Sequence, residues 1–488
     1  MNIAIFSEAP LWISHHAEAI ELAIQNIKKS KKVHFISCKS NLLGCPANPK
    51  KNLLLCAACR AQTYYTNNKI LKDKKYIKAY IDLDSSVKIN FNISSIEELQ
   101  NYKYEDAPIG NMVYSTIVTE LNDSFFDTNI HKKRINDLML NAIRIYKFTL
   151  GYIKDNNIKE IYIWNGRRSC DGPSVYAAKK LNIDHFTFIS GGGYNKILVR
   201  KNVGTVHDVP SAIKELDKIK YNLKDPTKRE SLIDRGNKFF SVASGKKENK
   251  SENKEINYLG YYQFSRNYKV DTEFFQKHKN KKIIAVFTGT YSEFAGVPGY
   301  DTSKDFCKTF YDGIEFLQDD LTIPSGAILV VRWHPNSRHI NGGEKERLNK
   351  IIKNAPNNVV HIRPESDFSS YSLIDKCQKV IGFGSSISIE SCLRGKPVLF
   401  VGRNMFQDLK CFETAKSHND IKNFILSDSN EIGNYDDALA WGVYFSSFGN
   451  NSFKNLDQIE PKEFYYENKS IRAPIISLLR NIKRLTDL

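Results

Sequence analysis

Two loops in the second half of the chain bring together residue types able to hold an anion. Arg332, Trp333, His334, Pro335 and Asn336 close an apolar run at 328–332 that reads as a buried strand. At the carboxyl end of a parallel strand, an Arg offers a phosphate paired donors and a His offers one directed hydrogen bond. A surface Arg beside a capping His fits the same residues. Farther on, Gly382, Phe383, Gly384, Ser385 and Ser386 lead from a second strand into a helix. The first turn of that helix is ringed by two hydroxyls and by N–H groups that no helix bond can take, a ready anion site. Gly384 permits close backbone approach. Ser385 or Ser386 equally suits a plain N-cap, with Glu390 completing the capping pattern.

The first half holds a second group. Asn165, Gly166, Arg167, Arg168, Ser169, Cys170, Asp171, Gly172 and Pro173 lie between a strand at 158–163 and a helix at 174–181. Asp171 is either a proton acceptor at a strand end or the N-cap of the helix. Glu8, His15 and His16, in the first strand-to-helix loop, are further base candidates; adjacent histidines at a helix start also serve as solvated or capping residues. Gly191, Gly192 and Gly193 end another strand, giving close approach to a ligand or a turn at positive φ. Cys38, Cys45, Cys56 and Cys59 fall within 22 residues as C-x6-C-x10-C-x2-C. That is the ligand number of a closed structural zinc site, and Cys56 and Cys59 have knuckle spacing. Unmetallated thiols or a redox role fit as well, whereas catalytic zinc would need a His or an open position.

The elements that must position these residues are legible as α/β units. A strand at 3–6, a loop at 7–17, a helix at 18–28 and a strand at 33–37 make an opening βαβ unit, repeated around a long helix at 134–152 and strands at 158–163 and 185–189. A second series begins with a strand at 283–287 and a helix at 304–317. Strands at 328–332, 359–362, 380–382 and 398–401 then alternate with helices at 344–355, 370–376 and 386–393. Such doubly wound sheets bind ligands at the carboxyl ends of their strands. The polar run at 244–255 offers no apolar face and reads as a linker. The expected domains are therefore 1–255, 256–465 and a C-terminal helix at 466–488 that packs back on the N-terminal domain.

A chain of 488 residues supports two cores of ordinary size. Its 71 basic and 54 acidic residues leave a net charge of +17, which favours anionic partners. The lysines are scattered and no nucleic-acid-reading motif accompanies them, so nucleic acid is not expected. Residues 1–8 read as a strand instead of a leader, and no window approaches the ~18–20 apolar residues that span a bilayer. A cytoplasmic location follows, with at most peripheral contact at the inner membrane. Nine cysteines, an odd number, suggest reduced thiols.

The order Arg-x-His-Pro, then Pro364-Glu365 with Tyr371, Ser372, Leu373 and Ile374, then Gly-x-Gly-Ser-Ser-x-x-x-x-Glu and Gly395-Lys396-Pro397-Val398 resembles the donor domain of GT-B-fold glycosyltransferases of capsule and lipopolysaccharide synthesis. The resemblance covers about 282–402. The His-Pro and Ser-Ser pairs look like those of the cytidine-donor enzymes, the Kdo and sialic acid transferases and glycerophosphate polymerases. It implies two Rossmann-like domains facing across a cleft, a CMP-linked donor such as CMP-Kdo, and a glycan or lipid-linked glycan acceptor. By the same resemblance His334 and Ser385 or Ser386 contact donor phosphate, Arg332, His334 and the helix start stabilise the leaving phosphate, and Pro335 and Gly384 belong to the donor site. Glu365 or Glu390 holds ribose or base, and Thr288, Thr290, Glu293 and Tyr371 line the donor site. Asn165, Gly166 and Arg167 resemble an acceptor-domain Asn-Gly-Arg loop, joined by His15. Asp171, His16 or Glu8 would be the catalytic base; the family's acidic-acidic-Gly motif is only partly kept, since Cys170 stands in the first acidic position.

Catalysis of this type requires no cofactor and no metal. Asp82 and Asp84 match the metal-binding Asp-x-Asp of the other glycosyltransferase fold, but without its surrounding order the match reads as chance. UDP- or GDP-linked donors, a UDP-N-acetylglucosamine 2-epimerase and a non-catalytic glycan-binding protein remain alternatives.

Overall fold

The computed structural model describes the chain except for residues 44, 46, 47, 194, 244–268, 301, 303, 304, 320–322, 429–432, 461 and 477–488. The expected linker at 244–255 and the end of the expected C-terminal helix lie outside the described residues. Two compact units result. One comprises residues 1–120, 126–208 and 448–488; the other comprises 121–125 and 209–447.

The first unit opens β1 (Asn2–Ser7), α1 (Ile13–Lys28), β2 (Lys32–Cys38), α2 (Leu53–Tyr65) and β3 (Tyr76–Ile81). Then come α3 (Ile96–Asn101), α4 (Ile109–Leu121), α5 (Lys132–Asp155), β4 (Ile158–Trp164), α6 (Gly172–Lys180), β5 (Asp184–Ser190) and β6 (Lys196–Lys201). The second unit contains α7 (Val209–Leu223), α8 (Pro226–Ala243), α9 (Thr272–Lys277), β7 (Lys282–Thr288), α10 (Phe310–Asp319), β8 (Ala327–Arg332), α11 (Gly342–Lys353) and β9 (Val359–Ile362). It continues with α12 (Ser370–Lys376), β10 (Lys379–Phe383), α13 (Ile387–Leu393), β11 (Val398–Val401), β12 (Glu413–Thr414), α14 (His418–Leu426) and α15 (Tyr435–Ser447). The chain then rejoins the first unit through β13 (Asn451–Ser452), β14 (Asp457–Glu460), β15 (Glu463–Tyr466) and β16 (Lys469–Ser470).

Both units are Rossmann-like. The first sheet has the order β13-β6-β5-β4-β1-β2-β3, and the second β12-β11-β10-β7-β8-β9. All neighbours in the second sheet run parallel, as do β5-β4-β1-β2-β3 in the first; β6 and β13 add antiparallel pairing at one edge. Interior parallel strands are covered on both faces, which explains their unbroken apolar runs. In β1 the alternation is visible atom by atom. Ile3 and Ile5 join Val33, Phe35, Tyr162 and α1 on one face, whereas Ala4 and Phe6 join Ile36, Ile161, Ile163 and residues of α5 and α6 on the other. Phe464, Tyr466 and Ile471 of the returning chain pack on the α1 face.

The division between units differs from the contiguous halves expected from the sequence. It falls at 208/209 and 447/448, because α7 and α8 pack with α15 of the second unit. A methyl group on Gly442 would stand 2.5 Å from the Phe240 ring and 3.0 Å from the Gly236 carbonyl, so α8 and α15 touch backbone to backbone. Arg229 joins the same helices by donating two bonds to Asp436, at 2.6 and 2.9 Å. A polar linker attracts a sequence-based boundary, but side-chain packing sets the real one. Helix starts moved as well: α1 begins at Ile13, which takes His15 and His16 out of the loop, and α10 begins at Phe310.

Candidate functional site

In each sheet the strand order reverses beside its first strand, between β1 and β4 in one unit and between β7 and β10 in the other. Such switch points open a crevice outside the carboxyl ends of the strands.

In the second unit the register sets the crevice. Thr288 pairs with Phe383 and Phe287 with Arg332, so β7, β8 and β10 end abreast. Gly289 and Thr290, His334, and Gly384 and Ser385 therefore emerge side by side. Gly384 adopts φ +62° with open space beside its α-carbon, the left-handed turn that releases the chain from β10. Thr288 Oγ1 accepts the His334 N–H at 3.0 Å, and His334 Nδ1 accepts the Asn336 N–H at 3.2 Å. Nδ1 is thus the acceptor nitrogen and Nε2 carries the proton. Burial holds His334 below the usual imidazole range; Arg332 adds to this and Glu293 opposes it. Its ring is a neutral donor. Thr290 is 7% exposed, and its Oγ1 has no hydrogen-bond partner. It lines a cavity of about 80 Å³ with Gly289, Tyr291, Phe294, Tyr300 and Gly384 among its walls. Pro335 opens the short 3₁₀ turn after His334, and exposed Glu293 accepts the Asn336 side-chain amide at 2.9 Å.

Three expectations for this rim change. Arg332 is buried and donates to the carbonyls of Arg363 and Ser366, at 2.7 and 3.1 Å. It braces the loop that presents exposed Glu365 instead of gripping phosphate itself. Glu390 is buried and accepts the Tyr371 hydroxyl at 2.5 Å; burial lifts its carboxyl to about 7. The pair ties α12 to α13, and neither side chain is left to read a base. Helix α13 has only seven residues, and Ser386 stands at its N-cap position without a side-chain capping bond to the helix N–H groups. Its short dipole is a weak anion holder.

In the first unit Ile5 stands opposite Tyr162, so Glu8 after β1 and the loop after Trp164 leave the same edge of the sheet. Asn165 and Gly166 both take positive φ, +57° and +87°. A methyl group on Gly166 would meet Gly204 O at 2.8 Å, so only glycine permits this bend. The Asn165 carbonyl accepts Val206 N–H and the Thr205 hydroxyl, at 2.9 and 3.0 Å, tying the loop to 204–208. Asp171 starts α6 without capping it; its Oδ1 accepts the Arg168 N–H at 2.8 Å. The plain N-cap reading therefore fails. Asp171 is fully buried, and burial raises its carboxyl to about 7 despite Arg168 and Arg167. Glu8 is 5% exposed, and burial together with Asp171 raises it to about 8. Two carboxyl groups that repel one another share protons near neutrality.

His16 is not a base candidate in the folded chain. It is buried, with Ser7 Oγ at 2.7 Å from Nδ1 and Thr66 Oγ1 at 2.7 Å from Nε2, and burial lowers it to about 3. His15 is half-buried, its ring 4.1 Å from that of Trp164 and its Nδ1 3.6 Å from Glu18. Gly191 sits in the tight turn joining β5 to β6, where a methyl group would fall 2.6 Å from Lys196 Cβ. Asp82 pairs with Lys39 at 2.9 Å, and Asp84 accepts Ser86 N–H at 2.8 Å.

Sequence reasoning missed Trp12, Arg200 and His207 and gave Arg168 no role of its own. Burial lowers half-buried His207 to about 3, and Arg167, Arg200 and Arg168 add to the fall. Arg168 stood inside the loop singled out above; nothing local marks His207 or Arg200. The four cysteines of the first half do converge. Burial pushes Cys59 up to about 12, with Cys45, Cys38 and Cys56 adding to the rise. Cys38 Sγ accepts Ser40 N–H at 3.1 Å and Cys56 Sγ accepts the Asn48 amide at 3.2 Å. Among the described residues no group of three or more His, Cys, Asp or Glu is placed to hold a metal ion, and all four thiols are free cysteines. No described helix is long and apolar enough to cross a membrane.

The chain matches no protein-family model and no curated protein sequence. Solved structures similar to it include Thermosulfurimonas dismutans KpsC, a beta Kdo 2,4 transferase, at 15% identity over 58% of this chain and 78% of that one, with a TM-score of 0.37. A UDP-GlcNAc 2-epimerase from Neisseria meningitidis bound to UDP-GlcNAc matches at 12% identity over 92% and 97%, TM-score 0.23. Acinetobacter baumannii MurG matches at 9% over 91% and 94%, TM-score 0.27. At such scores the site has to be argued from its own residues.

Proposed function

We propose that the chain is a glycosyltransferase that moves a sugar from a nucleotide-activated donor to a hydroxyl of a glycan or lipid-linked glycan. The observation that carries the reading is the second unit's rim, where three abreast strand ends present neutral His334, the unpartnered Thr290 hydroxyl and the glycine-shaped backbone of Gly289 and Gly384. Donors fixed before the reaction stabilise charge that grows on a leaving phosphate, and they cost no rearrangement when it forms. His334 Nε2, Thr290 Oγ1 and Ser385 are assigned to that phosphate. Pro335 and Thr288 hold His334 in place; Arg332, Tyr371 and Glu390 support the loops around it.

The neutral donors at this rim favour a monophosphate-linked donor; the arginine on the Thr290 cavity, Arg403, is held by Asp305 at 2.8 Å. A diphosphate leaving group carries more charge, and sites that bind it commonly use cationic side chains or a metal. Here Arg332 is committed to loop carbonyls. A CMP-linked sugar is therefore the leading donor, with UDP- and GDP-linked sugars as competitors. The reading gives the leaving group to protein donors and needs no catalytic metal.

The first unit supplies the base. Asp171 accepts the acceptor proton as the hydroxyl attacks the anomeric carbon, burial having brought its carboxyl to about 7, with Glu8 raised to about 8 beside it. Incubation with CMP-, UDP- and GDP-linked sugars, followed by identification of the released nucleotide, tests the donor. Release of CMP is expected. Release of UDP or GDP alone would overturn the donor assignment, and conversion of UDP-GlcNAc without any acceptor would replace transfer by epimerisation.

A further inference from the structure

The first unit's switch-point rim contains a charge that the transfer reaction does not explain. Arg168 is 9% exposed, and among the described residues its guanidinium makes no hydrogen bond or ion pair. Its Nε and Nη1 atoms are fully buried without a partner. Leaving buried donors of a charged group unsatisfied is costly, and native structures seldom keep such groups without a reason.

The guanidinium is nevertheless held in place. It lies 5.1 Å from the Trp12 ring and 5.2 Å from the Trp164 ring, and these two indoles pack edge to face at 5.3 Å. His15 packs on Trp164 from the side. A planar cation stacked on aromatic faces loses little further freedom when it meets an anion, and its donors match the two oxygens of a carboxylate or phosphate.

The surrounding carboxylates do not occupy it. Glu120 is taken by Arg134, which donates from Nε and Nη2 at 3.0 and 2.6 Å. Asp171 directs Oδ1 to the backbone N–H of Arg168, not to its side chain. Glu8 is buried, with Oε1 unpartnered. The stacked cation thus sits beside the proposed base with its donors unspent.

We propose that Arg168, clamped by Trp12 and Trp164, is an anion-binding site that receives a carboxylate or phosphate group of the acceptor close to the hydroxyl that reacts. That the anion belongs to the acceptor rests on the proposed transfer reaction; the anion site itself does not. An acidic sugar and a phosphorylated sugar share the chemistry Arg168 recognises. A neutral sugar lacks it.

Isothermal titration of the full chain, without nucleotide, with N-acetylneuraminic acid, glucose 6-phosphate and neutral N-acetylglucosamine tests the site. The two anionic probes are expected to bind at least tenfold more tightly than the neutral one. Preference for the first identifies a carboxylate acceptor, and preference for the second a phosphorylated one. Arg168→Gln should abolish the difference, and Arg168→Lys should restore only part of it, since a point charge cannot pair two oxygens. Trp12→Leu, which keeps the charge and removes one wall of the clamp, should weaken the anionic probes and leave the neutral probe unchanged; it also serves if Arg168→Gln does not fold. Equal binding of charged and neutral probes would overturn the proposal, as would anion binding indifferent to Arg168→Lys and Trp12→Leu. Because no donor is present, failure here leaves the transferase reading standing, and failure of donor turnover leaves the anion site standing.

Discussion

The two switch points have the same topology and opposite chemistry. At β7, β8 and β10 the rim offers neutral donors: an imidazole held below its usual range, a threonine hydroxyl without a partner, and glycine-shaped backbone. At β1 and β4 the rim holds two carboxyl groups lifted towards neutrality and a stacked arginine. Topology places a crevice; only the loop residues decide whether it stabilises charge or moves a proton. A two-substrate transfer needs one of each.

The largest effect expected from this contrast is on turnover. Asp171→Asn removes the base while keeping the shape that accepts the Arg168 N–H, so sugar transfer should fall by about 10²–10⁴-fold with nucleotide affinity unchanged. Product formation followed by mass spectrometry beside nucleotide titration checks both halves. Near-normal turnover in Asp171→Asn would give the first rim a purely structural role.

Substitution in the other rim should separate binding from turnover. His334→Ala removes one bond to a charged phosphate, about 1.5–3 kcal/mol, or about 10–150-fold in nucleotide affinity. Thr290→Val removes a neutral hydroxyl and should cost about two- to tenfold. If Thr290→Val weakened binding more than His334→Ala, the order of donors along the rim would have to be reversed.

The subtlest effect is with pH. Asp171 and Glu8 must lose protons to act, so activity should rise as pH passes about 7 to 8. Stability should move the other way. Their folded values exceed the ordinary carboxyl values of 3.8 and 4.5, so the folded chain binds protons that the unfolded chain has released, and stability falls between about pH 4 and 8. His16 and His207, lowered to about 3 from 6.5, give the opposite slope, which ends near pH 6.5. Between pH 6.5 and 8 the raised carboxyl groups Glu8, Asp171 and Glu390 therefore set the slope, with Arg167 and Arg168 facing Asp171 throughout. Thermal melts of Glu8→Gln should show a shallower decline over that range than the parent chain; an identical decline would remove Glu8 from the coupled pair.

The sequence showed the sheets more clearly than the side chains. The apolar runs at 283–287, 328–332 and 380–382 became β7, β8 and β10, because strands buried on both faces leave little doubt about their type. The same reading put His334, Gly384 and Ser385 on one rim, since carboxyl ends of parallel strands share an edge. Arg332 was misassigned because local pattern cannot show that carbonyls 31 and 34 residues away would claim its donors. His16 was misassigned because Thr66, 50 residues on, closes its second nitrogen. The boundary near 255 failed for a related reason, as the packing of α8 on α15 joins segments about 200 residues apart. Long-range partners decided each of these, and neither composition nor spacing encodes them.

The most direct test is a crystal structure of the protein soaked with CMP. The account predicts the phosphate at the second unit's rim, within hydrogen-bond distance of His334 Nε2 and Thr290 Oγ1. Nucleotide bound instead at the first unit's rim, with its phosphate on Arg168, would contradict the assignment of phosphate binding and proton transfer to separate switch points.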